Sequence, residues 1–478
     1  MKKNEIYKGK VIGYGSSGEG VIKNEEYTIF VPFTALNEQI EYKVLKVDKK
    51  IAYGKLLRVL TSVDDRKEPE CPVFGKCGGC NLMHLKYSTQ LDIKRNLIKD
   101  CFFKIAHIDV EPLLTVESEP CLYYRNKLQM PVREENGVVK MGFFAPDSHR
   151  IVETYDCKIH GEWCKGVIAA LKECIQKYNV TAYNESTNKG LLRHLVVKKC
   201  GDEFMVILVI NGEKITFADR FIKLLSEVFC ESKFSLYLNV NKGKNNVISG
   251  ERFIKIYGSE VIEGNLDGIK FISGPQSFMQ VNDDIRNKIY KKAIEFACYK
   301  PDLTIIDAFC GGGLMSAMLA KRCKKVIGVE IVEEAVDDAG RLAKENSIYN
   351  LNFICGACED VLPSVLENES GEISIVLDPA RKGLEKSLAE YLAELINKSE
   401  RINRIVYISC NPATLARDVG IICGTLSYEG NSLKSTVNES VKAENATALN
   451  GFKIEYVCGY DMFAQTKGIE TLCVLTKI

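Results

Sequence analysis

Cys410 stands in surroundings that suit a reactive thiol. It follows an apolar run at residues 404–409 and precedes Asn411-Pro412. Proline is favoured in the first turn of a helix, so we expect the thiol at the junction of a strand and a helix. A thiolate there can add to an electron-poor carbon and divide one difficult reaction into two easier steps. Only the thiolate is nucleophilic, which predicts a lowered pKa for Cys410 near positive charge or a helix N-terminus. A packing cysteine is the alternative.

Two carboxylates accompany this thiol in the predicted fold. Asp378 ends the apolar run 373–377 and precedes Pro379. In parallel sheets, ligands bind outside the carboxyl ends of the strands, so Asp378 is expected at the binding edge. Glu470 begins the last predicted strand and is a candidate for abstracting a proton across the site from Cys410.

A glycine-rich turn follows another predicted strand. Gly311-Gly312-Gly313 comes one residue, Cys310, after the run 303–309, and Glu330 lies 19 residues beyond Gly311. Glycines let the backbone approach a ligand, and an acidic residue about 20 positions later can bind ribose hydroxyls. Ser316 occupies the position where a dinucleotide-binding motif requires its third glycine. The interpretation that remains is a site for S-adenosylmethionine, with a purely structural turn as the alternative.

Three cysteines within ten residues, Cys71, Cys77 and Cys80, predict a metal or cluster loop. Zinc ribbons have two Cys-x-x-Cys pairs, and only Cys77 and Cys80 form such a pair here. Three interpretations remain open on spacing alone. One is a zinc site with His84 as its fourth ligand, and another is an iron–sulfur cluster with a fourth thiolate from elsewhere in the chain. A metal-free cluster of cysteines is the third and the least favoured.

The predicted elements divide the chain into three regions. Residues 1–65 contain short runs typical of strands, at 10–12, 20–22, 28–31, 40–44 and 52–57, which suggest a barrel of oligonucleotide-binding type or a purely structural β module. A helix is expected at about 85–105 and a mixed α+β region over about 120–275. From about 280 onward, strands and helices alternate and indicate a doubly wound parallel sheet, with a closing hairpin at 452–460 and 470–476.

Composition sets broad limits. The chain has 478 residues, 46% of them hydrophobic and 27% charged, which is ordinary for a globular protein of several domains. Its net charge of +1 means that any nucleic acid must bind through local patches. No apolar run is long enough to span a bilayer, and no secretory signal follows the basic N-terminus, so a cytoplasmic location is expected.

Assembled in order, these motifs resemble the class I RNA uracil-C5 methyltransferases of bacteria. The resemblance covers essentially the whole chain and is strongest with the branch that acts on 23S ribosomal RNA. The matching segments are residues 278–282, 378–383, 409–414 and 461–463. The resemblance implies that Cys410 is the nucleophile and Glu470 the base. The chain departs from the family pattern at Leu314 and Ala357, and these departures affect the finer contacts to the methyl donor.

Further roles follow from the same resemblance. The S-adenosylmethionine positions are Gln280, Phe309, Glu330 and Asp378. The ligands of a [4Fe–4S] cluster are Cys71, Cys77, Cys80 and Cys157, which displaces zinc at His84. The N-terminal strands resemble a TRAM domain, an RNA-binding barrel.

The resulting prediction is an α/β protein with three domains. These are a TRAM β-barrel at 1–65, a central α+β domain with the iron–sulfur loop at 70–275, and a Rossmann-like class I methyltransferase domain at 276–478. The expected activity is methylation of uracil C5 in 23S ribosomal RNA, by a monomer that binds a loop or single-stranded uridine. The alternatives are a transfer RNA T-loop uracil-C5 methyltransferase and a noncatalytic iron–sulfur RNA-binding protein.

Overall fold

The computed structural model describes residues 1–245, 247–436, 448–449 and 451–478. The chain divides into two units that alternate along the sequence. The first unit comprises Met1–Ile93, Glu119–Ile262 and Phe463–Lys467. The second unit comprises Lys94–Ser118, Glu263–Met462 and Gly468–Ile478.

The first unit begins with a six-stranded sheet in the order β1-β5-β6-β4-β3-β2. Its strands are β1 (Ile6–Lys10), β2 (Gly13–Tyr14), β3 (Gly20–Lys23), β4 (Thr28–Val31), β5 (Gln39–Asp48) and β6 (Ile51–Thr61). Alternate residues of these strands point inward, and Ile29, Val31, Ile40 and Val44 are buried together. The sheet agrees with the predicted barrel of oligonucleotide-binding type.

One predicted strand, at residues 10–12, is wrong, because β1 ends at Lys10. The amide of Val11 donates to the carbonyl of Glu38, and the amide of Ile12 donates to the carbonyl of Val21. These two residues therefore carry the chain from one strand partner to another, and an apolar pair alone does not distinguish such a crossing from a strand.

A seven-stranded sheet follows in the first unit, in the order β10-β9-β8-β11-β12-β13-β14. Its strands are β8 (Lys127–Glu135), β9 (Val138–Phe144), β10 (Ile151–Glu153), β11 (Leu192–Cys200), β12 (Glu203–Ile210), β13 (Phe234–Val240) and β14 (Arg252–Tyr257). Helices α2 (Trp163–Lys177) and α3 (Ala218–Phe229) contribute Val167, Leu171 and Phe221 to the core that this sheet shares with them. The mixed α+β character expected for this region is confirmed.

The second unit is built on a nine-stranded sheet with the path β19-β18-β17-β20-β21-β26-β25-β24, and β7 also pairs with β25. The strands are β7 (Leu113–Val116), β17 (Thr304–Ala308), β18 (Lys325–Glu330), β19 (Leu351–Cys355), β20 (Ile373–Leu377), β21 (Ile402–Ser409), β24 (Ala448–Leu449), β25 (Phe452–Tyr460) and β26 (Glu470–Lys477). Strands β17 to β21 run parallel, whereas β26 is antiparallel to both β21 and β25. The predicted doubly wound sheet and its closing hairpin are confirmed.

Helices precede, connect and follow the parallel strands of the second unit. They are α4 (Asp283–Ala297), α5 (Leu314–Ala320), α6 (Glu333–Glu345), α7 (Cys358–Asn368), α8 (Lys386–Lys398) and α9 (Pro412–Ile422). Among the described residues, β15 (Ile262–Leu266) with β16 (Ile269–Ser273) and β22 (Leu426–Glu429) with β23 (Ser432–Ser435) form separate two-stranded sheets. Among the residues described, no helix has the length and apolar character to cross a membrane.

An early part of the chain completes the core of the second unit. Helix α1 (Tyr87–Cys101) continues into a π-helical turn, Phe102–Ala106, where sequence predicted one helix over about 85–105. Ile98, Phe102 and Ile108 are fully buried in the same apolar cluster as the residues of β17, β20 and β21. This cluster fixes the strands whose carboxyl ends form the site described next.

Candidate active site

Strand pairing brings three predicted site residues to one edge of the sheet. In the antiparallel pair of β21 and β26, Ser409 lies opposite Thr471. Cys410 directly follows Ser409 and Glu470 directly precedes Thr471, so the thiol and the carboxyl begin from neighbouring positions. In the parallel pair of β20 and β21, Leu377 lies opposite Tyr407, which places Asp378 on the other side of Cys410. The edge therefore carries a thiol flanked by two acids.

The strand-to-helix junction at Cys410 is held by hydrogen bonds of short polar side chains. Asn411 caps α9, since its Oδ1 accepts from the amide of Ala413 at 3.2 Å. Its Nδ2 and the Thr414 hydroxyl both donate to the carbonyl of Arg381, at 3.2 and 3.3 Å. Pro412 is the first residue of the helix, as predicted. These bonds join the start of α9 to the loop that follows Asp378.

Asp418, one turn after Thr414 in α9, is hydrogen-bonded to the same loop. Its buried Oδ2 accepts from the Tyr407 hydroxyl at 2.6 Å and from the amide of Leu384 at 2.8 Å. Gly383 has φ of +74°, and a Cβ there would lie 2.4 Å from the Asp418 carboxylate, so only glycine fits. The loop after β20 is thus fixed against both β21 and α9.

Burial dominates the acid–base character of Glu470. Only 4% of its surface is exposed, and this burial raises its pKa well above the ordinary value. The negative charge of Asp378 raises the pKa further, while the guanidinium of Arg381 lowers it. A carboxylate with a raised pKa is a stronger base once it is ionised, which suits proton abstraction.

The expected lowering of the Cys410 pKa is wrong for the free protein. Burial raises the pKa of this thiol, and the neighbouring carboxylate of Glu470 raises it further. Arg381 acts in the expected direction, through its charge and a hydrogen bond to the sulfur, but does not outweigh burial and the charges of Glu470 and Asp378. The sequence pattern shows the helix start but not how deeply the thiol is buried beside an acid.

Two further carboxyls of this edge have pKa values raised to about 7. Burial is the main cause for both Asp378 and Asp307, and the proximity of Asp307 raises the pKa of Asp378 further. The Ser316 hydroxyl donates to Asp307 Oδ2 at 2.5 Å and partly offsets the effect of burial on Asp307. Burial of acids at a sheet edge is typical of a functional site rather than of a packing surface.

The glycine turn after β17 has an open backbone. Gly311 has φ of +52°, and a Cβ built on Gly311 or Gly312 meets no atom within 4 Å. Phe309 also has a positive φ, of +65°, which is rare for a bulky side chain and marks local strain. Glu330 ends β18, and its Oε2 accepts from the amide of Gly311 at 3.0 Å. The turn can therefore admit a ligand beside an acidic side chain.

The remaining predicted donor-site residue, Gln280, is half-buried just before α4. Asn282 of the same motif caps that helix by accepting from the amide of Ile285 at 3.3 Å, and its Nδ2 donates to Ser118 Oγ at 2.8 Å. The motif at 278–282 thus orients the start of α4.

Comparison with known proteins identifies the family. A model of the tRNA (Uracil-5-)-methyltransferase family matches residues 257–433. An uncharacterized RNA methyltransferase of Clostridium tetani is 38% identical over 478 residues, which covers 100% of this chain and 97% of that protein. Another, from Clostridium acetobutylicum, is 35% identical over 483 residues, with coverage of 100% and 98%. The chain belongs to the RNA uracil-C5 methyltransferase family.

A solved structure resembles this member of the family along its full length. The tRNA (uracil-54, C5)-methyltransferase of Pyrococcus abyssi, in complex with S-adenosyl-L-homocysteine, superposes with a TM-score of 0.74 and 25% identity. The match covers 98% of this chain and 100% of that chain. The chain is a methyltransferase that uses S-adenosylmethionine and acts on RNA. The open glycine turn beside Glu330 agrees with a site for that donor.

The four predicted cluster ligands of this methyltransferase lie near one another. Cys71, Cys80 and Cys157 pack against one apolar cluster, and the pKa of Cys80 is raised by burial and by the charges of Cys157, Cys77 and Cys71. Burial likewise raises the pKa of Cys157 to about 11. Polar groups reach two of the sulfurs: the amide of Gly79 donates to Cys77 Sγ at 3.4 Å, and His160 Nδ1 lies 3.1 Å from Cys157 Sγ.

The zinc interpretation has no support in the structure. Within the described ranges, no group of three or more His, Cys, Asp or Glu side chains could hold a metal ion. His84 is buried, and its Nε2 lies 3.1 Å from the carbonyl oxygen of Thr34. Burial lowers the pKa of His84 to about 4, so the ring is neutral in its place between the barrel and the cysteine loop. The same finding applies to the four cysteines, so the [4Fe–4S] cluster stays a prediction.

Two residues near the site escaped sequence reasoning. Arg381 lies three positions after Asp378, and its positive charge acts to lower the pKa of both Cys410 and Glu470. Tyr290 of α4 has its pKa raised by burial and by the charges of Asp378 and Glu470, which places its phenol near both acids. The spacing of Tyr290 along an amphipathic helix resembles that of an ordinary core residue, so no sequence signal singles it out.

The two departures from the family pattern have modest structural roles. Leu314 is the first residue of α5, directly after Gly313. Ala357 occupies the N-cap position of α7 and makes no side-chain capping hydrogen bond. Neither residue therefore offers a polar atom to a ligand at these two helix starts.

Proposed function

We propose that this protein methylates C5 of a uracil in RNA, with Cys410 as nucleophile and Glu470 as base. The observation that carries the proposal is the placement of Cys410 and Glu470 at adjacent positions of paired strands, beside Asp378. A methyltransferase acting on oxygen or nitrogen needs no thiol there, because those atoms carry their own lone pairs. Carbon 5 of uracil is too weakly nucleophilic to react unaided.

The proposed reaction uses the two side chains in turn. The Cys410 thiolate adds to C6, and the electron pair of the C5–C6 double bond becomes an enolate that is nucleophilic at C5. S-adenosylmethionine, when bound, supplies the methyl group as an electrophile on a sulfonium. Glu470 then takes the proton from C5, the C5–C6 double bond re-forms, and the C6–S bond breaks to return the thiolate. Arg381, hydrogen-bonded to the sulfur, stabilises the thiolate at both stages.

Four residues are proposed to hold the methyl donor. Gln280, Phe309, Glu330 and Asp378 lie before α4 or at the carboxyl ends of β17, β18 and β20. The carboxylate of Glu330, in a position to accept from ribose hydroxyls, already orders the glycine turn through Gly311. Substitution of Glu330 by alanine is expected to weaken donor binding, measured by isothermal titration, without changing the reactivity of Cys410 towards alkylating reagents.

The proposed substrate is a loop or single-stranded uridine of 23S ribosomal RNA, since a stacked uracil must leave its helix to reach Cys410. In the sequence, the N-terminal barrel and the cysteine loop favour ribosomal RNA. The Pyrococcus abyssi transfer RNA enzyme matches 98% of this chain, so its length includes counterparts of these parts. A transfer RNA uridine is therefore the second candidate substrate.

Mapping of 5-methyluridine separates the two substrates. The nucleoside is measured in 23S ribosomal RNA and in transfer RNA from cells with and without the gene. Loss from 23S ribosomal RNA alone supports the proposal, and loss confined to transfer RNA replaces it with the second candidate. Unchanged 5-methyluridine in both RNAs, together with an unchanged product in vitro after Cys410→Ala, rejects the uracil-C5 reaction.

We further propose that residues 1–65 form a TRAM-type RNA-binding domain, 70–275 a central domain, and 276–478 the methyltransferase domain. The cluster assigned to the central domain is [4Fe–4S], bound by Cys71, Cys77, Cys80 and Cys157. What supports the assignment is the proximity of the four cysteines, because the charges of Cys157, Cys77 and Cys71 all raise the pKa of Cys80. Anaerobically purified protein is expected to contain about four irons per chain; zinc instead, or neither metal, rejects the assignment.

A further inference from the structure

The short segment Phe463–Lys467, here called the anchor segment, is held by hydrogen bonds to residues distant in the sequence. Gln465 is buried to 1% exposure and has φ of +69°, a strained conformation for a residue with a side chain. Its carbonyl accepts from the amides of Asn81 and Leu82 at 3.2 and 3.1 Å. Its Oε1 accepts from Gln90 Nε2 at 3.0 Å. Strain of this kind persists only where the surroundings determine it fully.

The neighbours of Gln465 are held in the same way. The Tyr124 hydroxyl donates to the carbonyl of Ala464 at 3.0 Å. The amide of Lys467 donates to Asn81 Oδ1 at 3.4 Å, and its Nζ donates to Ser17 Oγ at 3.0 Å. All these partners come from the beginning of the chain, and Asn81 and Leu82 directly follow Cys80. The anchor segment is thus docked on the segment that leaves the cysteine loop.

Both chain neighbours of the anchor segment are also fixed. On one side, Asp461 forms a fully buried ion pair with Lys94, with Nζ and Oδ1 2.5 Å apart. On the other side, only Gly468 and Ile469 separate Lys467 from Glu470, and Ile469 is 1% exposed. Removing one partner of a buried ion pair destabilises a protein by roughly 3–5 kcal/mol. The ion pair with Lys94 therefore holds Asp461 in place. The path from Asp461 to Glu470 leaves little freedom for the carboxyl.

We propose that the anchor segment is a positioning element for Glu470, which the segment after the cysteine loop sets in place for removing the C5 proton. This inference rests on the proposed uracil-C5 reaction. The hydrogen bonds described for Ala464 and Gln465 go to Tyr124, Asn81, Leu82 and Gln90, so we expect these two residues to act through Glu470. Loosening them slows the step in which Glu470 takes the proton, C5=C6 re-forms and the C6–S bond breaks. It leaves the addition of Cys410 to C6 and the methylation of C5 largely unchanged.

The test measures two quantities for each variant of the full-length enzyme with methyl donor and labelled 23S ribosomal RNA or transfer RNA. One is the rate of product release, and the other is the amount of protein–RNA adduct that survives denaturation. Gln465→Ala removes the hydrogen bond from Gln90, and Tyr124→Phe removes one hydrogen bond with little change of shape. Gln176→Ala is the matched control, because Gln176 is exposed on α2. Glu470→Gln shows the adduct level expected when the base is absent.

We expect slower release with accumulation of methylated adduct, by roughly tenfold or more for Gln465→Ala and about two- to fivefold for Tyr124→Phe. Gln176→Ala should match the unmodified enzyme. An equal fall in adduct formation and release in both variants overturns the proposal, since general destabilisation has that effect. The proposal is also overturned if adduct accumulates in Glu470→Gln while Gln465→Ala shows no more adduct than the control. Absence of adduct in every variant, Glu470→Gln included, refutes the covalent reaction itself.

Discussion

The two reactive side chains face each other on paired strands, yet different parts of the chain hold them. Cys410 is placed by residues 378–418, through Arg381, Asn411 and the Asp418 network. Glu470 follows the anchor segment, whose partners lie at residues 17, 81, 82, 90 and 124. Contacts between residues near in sequence therefore hold the nucleophile, which is the local half of the site. Contacts between residues distant in sequence hold the base, which is the long-range half. Changes early in the chain can alter the second chemical step without altering the first.

Removal of the nucleophile has the largest expected effect, because both chemical steps depend on it. Cys410→Ala should lower methyl transfer by on the order of 10⁴-fold or more, as removal of a covalent nucleophile does. Adduct should be absent. Cys230→Ala serves as the matched control, since Cys230 is exposed after α3. Transfer of radiolabelled methyl groups to RNA measures the loss, and substantial activity in Cys410→Ala contradicts the local half of the comparison.

Glu470→Gln should separate the two steps. Turnover is expected to fall by roughly 10²- to 10⁴-fold, the contribution of a general base, while the methylated adduct accumulates. In the unmodified enzyme only the ionised carboxylate can accept the proton. Since its pKa is raised, release should quicken as the pH rises through that pKa, and Glu470→Gln should lose this dependence. Glu455→Gln, on the exposed side of β25, is the control. If release in Glu470→Gln keeps the same pH dependence, another group is the base.

Asp418→Asn tests the local half without touching the reacting atoms. The Tyr407 hydroxyl and the backbone amide of Leu384 both donate to Asp418 Oδ2, and the NH2 group of an asparagine cannot accept from them. The loss should lower the free energy of unfolding by about 1–3 kcal/mol. Adduct formation and release should fall together, by roughly tenfold, because Cys410 serves both steps. Urea unfolding and the adduct assay give the two quantities, with the exposed Asp302→Asn as control. Adduct accumulation in Asp418→Asn would show that the two halves are not independent.

Arg381→Gln has the smallest expected effect. Removal of the guanidinium raises the pKa of Cys410 further, because a positive charge and a hydrogen bond to the thiolate are lost. The fraction of thiolate at neutral pH falls, so alkylation of Cys410 by iodoacetamide should slow by about two- to fivefold and its pH midpoint should move upward. Mass spectrometry of the Cys410 peptide measures this, with the exposed Arg322→Gln as control. A downward shift contradicts the assigned role of Arg381.

The local half was largely predictable from sequence. Strand β20 is where the pattern placed it, and helix α9 begins at Pro412 as expected. Each signal lies within a few residues of the feature that it predicts: an apolar run, a proline and a glycine turn. The fold class followed from the alternation of such signals, because parallel strands bring their carboxyl ends to one edge.

The long-range half was not predictable in the same way. Nothing near Gln465 indicates a positive φ or a hydrogen bond to Gln90, which is distant in sequence. The raised pKa of Cys410 depends on burial and on Glu470, and only the paired strands bring that acid close. The phenol of Tyr290 reaches the acids through the packing of α4. These features are set by tertiary structure, which periodicity does not encode.

Strand β7 and the helical residues before it belong to a core whose other members are synthesised much later. Leu113–Val116 pairs with β25, and Ile98 and Phe102 pack with β17, β20 and β21. While the ribosome is still translating the middle of the gene, these apolar side chains have no partners. This segment therefore exposes apolar surface until the last strands emerge, which is the condition that favours aggregation during synthesis.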